Sequence, residues 1–190
     1  MKKLLIILLG IIALAGCHES PKCVIEGTVS DSGLNGRRIF LVPVYYEDSL
    51  GVDSVVIKDN RFHFERNEEY LADIRVDYHY RQGTENLLVI TEPGEVKVLI
   101  DSVSIGGGTP QNDLLQSWKE LLMQRNGELK TLNRKYSSLL KSGDTTNAEI
   151  TKKNMEDVID RFNSRTKDMV VGLRTGTLHD FLETRLPKEK

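Results

Sequence analysis

The stretch SIGGGTPQNDLLQSW, residues 104–118, separates two halves of the chain that differ in pattern. Its three glycines are followed by residues that favour the start of a helix, namely Thr109, Pro110 and Asp113. A threonine hydroxyl can cap the first turn, proline suits the first helical position, and aspartate is stabilised near the positive end of the helix dipole. We therefore predict that a helix begins at residue 110 and that the glycines form a hinge.

The glycines do not fit a nucleotide-binding motif. A phosphate-binding loop needs a lysine and a Ser or Thr directly after its last glycine, but Gly108 is followed by Thr109 and Pro110, and the next lysine is Lys119. A dinucleotide-binding loop would follow a strand of a βαβ unit, and no helix-length segment separates the strands before Pro110. There is also no Gly-x-Ser-x-Gly motif. The sequence therefore predicts no catalytic residue and no cofactor.

The half before residue 110 has the alternation of a β-rich domain. The clearest case is YLADIRVDYHY, residues 70–80, where apolar or aromatic residues alternate with charged ones. Asp59 and Asn60 suit the tight turn of a hairpin between DSVVIK and RFHFER. Short strands joined by tight turns indicate an antiparallel β-sandwich or open barrel over residues 17–109.

The half from residue 110 has helical periodicity, with leucines three and four residues apart. We expect a first helix to about residue 140, with a kink or short break at Asn126 and Gly127 because an interior glycine weakens a helix. A second helix would begin with the capping box of Thr146 and Glu149. Its apolar side would carry Ile150, Val158, Ile159, Phe162, Met169 and Val170.

These elements predict an α+β fold. A short turn between two helices places them antiparallel, so residues 110–190 should form a helical hairpin and a tail behind the β-rich domain. A short third helix is expected around Leu178, Phe181 and Leu182.

The first 17 residues, MKKLLIILLGIIALAGC, have the form of a secretory signal: two lysines, an apolar run and small residues before a cysteine. The run is shorter than the roughly 20 residues that span a bilayer. Leu14, Ala15, Gly16 and Cys17 resemble the lipobox of bacterial lipoproteins. We therefore expect residues 1–16 to be a signal peptide and Cys17 to be the lipidated residue, for example with palmitate, that tethers the chain to a membrane.

Residues near the anchor favour one location. No aspartate follows Cys17, and a lone Glu19 is a poor match to an acidic surface-display signal. We expect an outer-membrane lipoprotein that faces the periplasm. Loss of residues 1–16 leaves 24 basic against 28 acidic residues, a balance that does not suggest a nucleic-acid partner.

Two other sets of residues could carry chemistry. Cys23 would be the one cysteine left free, and we expect a buried apolar role for it more than a reactive thiol. His63 with Glu65, and Asp77 with His79, share strand faces and could bind a metal if two strands brought them together. Solvent-facing positions on a half-buried sheet explain both pairs better, so no metal site is predicted.

The strand order and several short motifs resemble the N-terminal β-rich domain of unknown function that precedes a thioredoxin-like domain in thiol-disulfide oxidoreductase lipoproteins. The shared features are an Asp-Ser pair, an aromatic F-x-F strand, a Glu-x-Gly turn and a Gly-Thr-x-x-Asn junction: Asp53, Ser54, Phe62, Phe64, Glu92, Gly94, Gly108, Thr109 and Asn112. The resemblance covers about residues 24–122 and implies a fold. It implies no redox activity here, because the sequence contains no CxxC.

The expectation for function is a non-enzymatic, lipid-anchored binding or scaffolding module of the cell envelope, with a protein partner there. Two alternatives remain open. One is an accessory subunit of a separate thioredoxin-like thiol-disulfide oxidoreductase. The other is a metal- or thiol-dependent envelope enzyme that would use Cys23, His63 or His79.

Overall fold

The computed structural model describes residues 22–45, 51–76 and 84–187. Within these ranges the chain forms eight strands and then three α-helices. The strands are β1 (Cys23–Val29), β2 (Arg38–Pro43), β3 (Asp53–Val56), β4 (Arg61–Arg66), β5 (Leu71–Val76), β6 (Leu87–Ile90), β7 (Gly94–Ile100) and β8 (Ile105–Gly107). The helices are α1 (Pro110–Ser142), α2 (Thr145–Leu173) and α3 (Thr177–Glu183), and a 3-10 turn spans Ser32–Leu34.

The strands form two four-stranded sheets. The first sheet has the order β4-β1-β7-β8 and the second has the order β3-β2-β5-β6. The two sheets pack face to face as a sandwich, and no closed barrel forms among the described strands. The predicted α+β fold, a sandwich followed by helices, is confirmed.

One strand pair departs from the antiparallel pattern. β1 and β7 run parallel over their full length, from Cys23 opposite Gly94 to Val29 opposite Ile100. A parallel pair needs a long crossover. The chain between β1 and β7 includes all of the second sheet. The two paired strands are therefore about 70 residues apart in the sequence.

The sandwich core is built from the inward-facing residues of both sheets, which alternate along each strand as the sequence predicts. Ile25, Ile39, Leu41, Ile74 and Val96 are each exposed by 1 % or less. Gly27 lies opposite Phe62 in the β1–β4 pair, and the ring of Phe62 covers it. A Cβ atom added at Gly27 would lie 1.9 Å from that ring, so the core requires a glycine at this position.

A second core lies between the sandwich and the helices. Leu71 of β5 and Ile90 of β6 are buried against Leu115 and Trp118 of α1, together with residues of α2 and α3. The ring of Trp118 packs edge-on against Phe181 of α3, with centroids 5.5 Å apart. The short third helix that the sequence predicts is therefore present, and it closes this core.

The first helix runs without a break from Pro110 to Ser142, so the short break that the sequence offered at Asn126 and Gly127, as an alternative to a kink, does not form. An interior glycine costs only about 1 kcal/mol, and packing against α2 offsets that cost. At 33 residues and about 1.5 Å of rise per residue, α1 is about 50 Å long.

The second helix begins earlier than predicted, because its N-cap lies two residues before Thr146. Asp144 is its N-cap, and its carboxylate accepts a hydrogen bond from the Asn147 amide at 3.1 Å. Aspartate is as good a cap as threonine, so the helix starts at the earlier residue.

The apolar side of α2 is also only partly as predicted. Val158, Phe162 and Val170 are buried, but Ile150 and Ile159 are 54 % and 40 % exposed. Small residues occupy the buried positions instead, at Ala148, Thr151 and Thr166. Small side chains allow the two helices to approach closely.

The contact between Gly27 and Phe62 gives a stability prediction. Gly27→Ala should lower the free energy of unfolding by about 2–3 kcal/mol, because the added methyl group overpacks the core. Urea unfolding followed by circular dichroism would measure the change. The matched control is Gly127→Ala, which adds a methyl group into open space within α1 and should raise stability by about 1 kcal/mol. Equal effects of the two substitutions would contradict this account of the core.

Candidate binding groove

The three glycines at the sheet-to-helix boundary serve close backbone contacts. Gly108 has a φ of +99°, and a Cβ atom there would lie 2.5 Å from the Glu95 carbonyl oxygen. A Cβ atom at Gly107 would lie 2.6 Å from the Asp113 carboxylate, which accepts a hydrogen bond from the Gly108 amide at 2.7 Å. Gly106 and Gly107 lie within β8 and pair with β7, so the predicted hinge is instead an ordered connection from strand to helix, with Pro110 at the first helical position as predicted.

Thr109 is the N-cap residue of α1, as predicted, but its side chain does not supply the predicted capping hydrogen bond. The carboxylate of Glu92, which is 7 % exposed, accepts the amides of Gln111 and Asn112 at 2.7 and 3.1 Å. A carboxylate is stabilised there by the amides and by the positive end of the helix dipole. Glu92 lies in the turn after β6, so it joins the second sheet to α1.

Asn112 completes this connection, which we call the junction (Glu92, Thr109, Gln111 and Asn112). Its side-chain oxygen accepts the Ile90 amide at 2.9 Å, and its nitrogen donates to the Ile90 carbonyl at 2.8 Å. The same nitrogen donates to the Thr109 hydroxyl at 2.8 Å. Asn112 is 2 % exposed, and its amide group pairs with Ile90 as a neighbouring strand would.

Gln111 extends the junction to α3. Its side-chain nitrogen donates to Glu69 at 2.9 Å, and its oxygen accepts the Leu178 amide at 3.0 Å. The Thr177 hydroxyl donates to the same Glu69 oxygen at 2.7 Å. Burial raises the pKa of Glu69, but these hydrogen bonds outweigh it and hold the pKa below its ordinary value. The junction therefore stabilises the ionised carboxylate.

His63 and Glu65, one of the two pairs that the sequence offered for metal binding, lie on the outer face of the first sheet. His63 contacts Glu26 through Nδ1 at 2.9 Å and Glu65 through Nε2 at 3.3 Å. Slight burial lowers the pKa of His63, but the hydrogen bonds and charges of Glu26 and Glu65 raise it above its ordinary value. A protonated imidazole between two carboxylates accounts for this arrangement.

Of the other residues that the sequence offered for chemistry or lipidation, one is buried and the rest lie outside the described part of the chain. Cys23 is 1 % exposed, as expected for an apolar role, and burial, followed by the charge of Glu92, raises the pKa of its thiol to about 11. A thiol with this pKa is a poor nucleophile at neutral pH. Cys17, the signal peptide, Asp77 and His79 lie outside the described residues.

Two further observations concern only the described part of the chain. Residues 22–45, 51–76 and 84–187 contain no group of three His, Cys, Asp or Glu side chains that could hold a metal ion. In those same ranges, every helix is too short or too polar to cross a bilayer.

The first sheet and α1 form a groove of about 720 Å³. Its floor is the outer face of β1, β7 and β8, where a row of cross-strand neighbours includes Thr28, Leu99 and Ile105. Ile105 is 45 % exposed. Gly107 contributes no side chain, which deepens the floor. Gln116 and Glu120 of α1 form the wall.

Charged residues surround this apolar floor. Arg61 of β4 stands at the end of the row opposite to α1, and no carboxylate forms an ion pair with it within the described ranges. Glu26 is engaged by His63, and Lys97 lies 3.7 Å from Glu95. The groove can therefore bind an apolar group on its floor and place the Arg61 guanidinium near one end of that group.

Local sequence patterns do not predict this groove. Its floor depends on the parallel pairing of β1 with β7, which aligns Thr28 with Leu99 across about 70 residues. A signal was present, because Leu99 and Ile105 are apolar residues on the outward side of their strands. Only the register shows that they are neighbours.

The comparisons with known proteins identify the β-rich region. Residues 23–115 match a domain of unknown function, DUF4369. The match covers all eight strands and the first turn of α1. No curated protein and no solved structure matches the chain significantly.

The pairing of Asn112 with Ile90 leads to a second stability prediction. Asn112→Ala would leave a buried amide and a buried carbonyl without partners, so we expect the free energy of unfolding to fall by about 2–4 kcal/mol. Chemical denaturation measures this loss. Asn133→Ala, an exposed asparagine on the same helix, is the control and should change stability by less than about 0.5 kcal/mol. A similar loss in both variants would show that Asn112 does not hold the junction.

Proposed function

We propose that this protein is a non-enzymatic, lipid-anchored module of the bacterial cell envelope, and that the groove on its first sheet binds a partner protein. The proposed anchor is Cys17, and the proposed location is the outer membrane facing the periplasm. The observation that carries the binding role is the groove floor beside α1, where exposed Ile105 and half-buried Leu99 form an apolar surface next to Thr28.

The residues that carry the family resemblance support a scaffold role for the rest of the domain. Phe62 and Phe64 pack in the core, and Glu92 and Asn112 form the junction. Asp53 accepts a hydrogen bond from Arg66, which also donates to the Tyr70 hydroxyl at 3.0 Å. Each of these side chains is engaged in an internal contact.

The dimensions of the groove suit an extended segment of a partner. Four strands about 4.8 Å apart place Arg61 about 14 Å from Ile105, the length of about four extended residues. Apolar side chains of the segment would lie on Leu99 and Ile105. An acidic side chain or a carboxyl terminus would pair with Arg61, which has no competing carboxylate among the described residues.

The binding role predicts where a partner can be captured in the cell. A photo-activated cross-linking residue at Ile105 should give a discrete cross-linked product in envelopes, while one at Val171, which is 68 % exposed on α2, should not. Replacement of Leu99 by Glu should remove the Ile105 product, because a carboxylate disrupts the apolar floor. Immunoblotting and mass spectrometry would identify the product.

Three outcomes of this experiment are informative. Equal labelling at both positions, or persistence of the product in the Leu99→Glu variant, would show that the groove is not the binding surface. Circular dichroism of that variant checks that its fold is unchanged. A captured partner that carries a CxxC motif would assign the protein to the accessory role beside a thiol-disulfide oxidoreductase.

The anchor predicts a simple change in fractionation. Cys17→Ala should move the protein from the membrane pellet to the soluble fraction, because the acyl chains would be lost. Their burial in the bilayer contributes about 0.8 kcal/mol of binding free energy per methylene group. Ultracentrifugation with immunoblotting measures the distribution. Cys23→Ala is the control and should leave the protein in the pellet. Retention of the Cys17→Ala protein on membranes would refute the lipid anchor.

A further inference from the structure

A small pocket lies between α1 and α2, and none of the residues that line it also lines the groove. Its volume is about 130 Å³. The floor is apolar and is formed by Leu121, Val158 and Phe162. Three arginines surround it, Arg125 from α1 and Arg161 and Arg165 from α2. Three guanidinium groups around one apolar floor repel each other unless an anion lies between them.

Among the described residues, Glu128 supplies the only carboxylate that lines this pocket, and this carboxylate already has partners. Glu128 accepts a hydrogen bond from Gln124 on one oxygen at 2.9 Å and forms an ion pair with Arg161 on the other at 2.8 Å. It therefore neutralises one arginine and leaves a pocket with a net charge of about +2.

The remaining two arginines are available to a ligand. The Arg125 guanidinium lies 4.5 Å from the centroid of the Phe162 ring, which fixes its position by a cation–π contact. Its other contact is with the Asn126 side chain, which is neutral. Arg165 makes no hydrogen bond or ion pair within residues 22–45, 51–76 and 84–187. Neither guanidinium has a carboxylate partner among those residues.

The size of the pocket limits what it can bind. At about 30 Å³ for each water molecule, 130 Å³ holds about four waters. This space fits one tetrahedral oxyanion group. Guanidinium groups bind phosphate oxygens in pairs of parallel hydrogen bonds, which makes phosphate the ligand of matching geometry.

We propose that Arg125, Arg161 and Arg165 form a binding site for a single phosphate group, located on the helical hairpin and independent of the groove. The phosphate can be a free ion or the headgroup of a phospholipid, since both present the same oxygens.

Titration of the purified full chain in detergent at low ionic strength tests this site. Inorganic phosphate and glycerophosphoglycerol, the headgroup of phosphatidylglycerol, are added in separate arms. Nuclear magnetic resonance follows the Nε–H signals of the arginines. We expect saturable shifts confined to Arg125, Arg161 and Arg165. Binding of the ion alone assigns a free phosphate, and comparable or tighter binding of the headgroup assigns a phospholipid.

Single substitutions separate the site from general charge effects. Arg165→Gln and Arg125→Gln should each weaken binding about tenfold or more, since each removes a charged hydrogen-bond donor. Arg134→Gln removes the same charge from α1 outside the pocket and should change the affinity less than twofold. Arg165 has no internal partner among the described residues, so its variant should keep the fold, which a thermal melt verifies.

The proposal is overturned if neither probe gives saturable shifts. It is also overturned if Arg134→Gln weakens binding as much as Arg165→Gln, because the attraction would then come from the overall charge of the helix.

Discussion

The structure depends on a few buried hydrogen bonds between the edge of the second sheet and the first turn of α1. The Glu92 carboxylate accepts two amides of the helix start, and Asn112 pairs with both backbone groups of Ile90. A buried polar group without a partner costs about 1–3 kcal/mol, so these contacts are strongly directional. They fix where α1 leaves the sandwich. The positions of Trp118, Phe162 and Phe181 in the second core follow from that direction.

The same contacts account for several of the residues that carry the family resemblance. Glu92, Gly94, Gly108, Thr109 and Asn112 lie at the place where the sheet meets the helix. In a sequence, a carboxylate, a threonine and an asparagine together with glycines suggest a catalytic or binding site. In the structure their polar atoms are engaged with each other and with the backbone. Their role is to join the two halves of the molecule.

The sequence was sufficient where structure follows from local periodicity. Alternation located the inward residues of β5, helical spacing located α1 and α2, and Pro110 marked the start of α1. The sequence was insufficient where the structure depends on contacts between residues that are far apart in the chain. Glu92 caps a helix that begins 18 residues later, and no local pattern places it there. Packing against α2 keeps α1 continuous at Gly127, although its local cost favoured a break. The floor of the groove depends on the pairing of β1 with β7, and the arginine pocket depends on how α1 faces α2.

The position of β1 inside the first sheet has a mechanical consequence. This strand begins at Cys23, close behind the proposed anchor at Cys17, and it is flanked by β4 on one side and β7 on the other. A force transmitted through the tether would pull along the axis of β1. Ladder hydrogen bonds run across the strands, so both ladders of β1 would be loaded in shear and would have to break together. An edge strand in the same place would detach one bond at a time. In a chain tethered at Cys17, this arrangement of β1 would resist traction from the membrane.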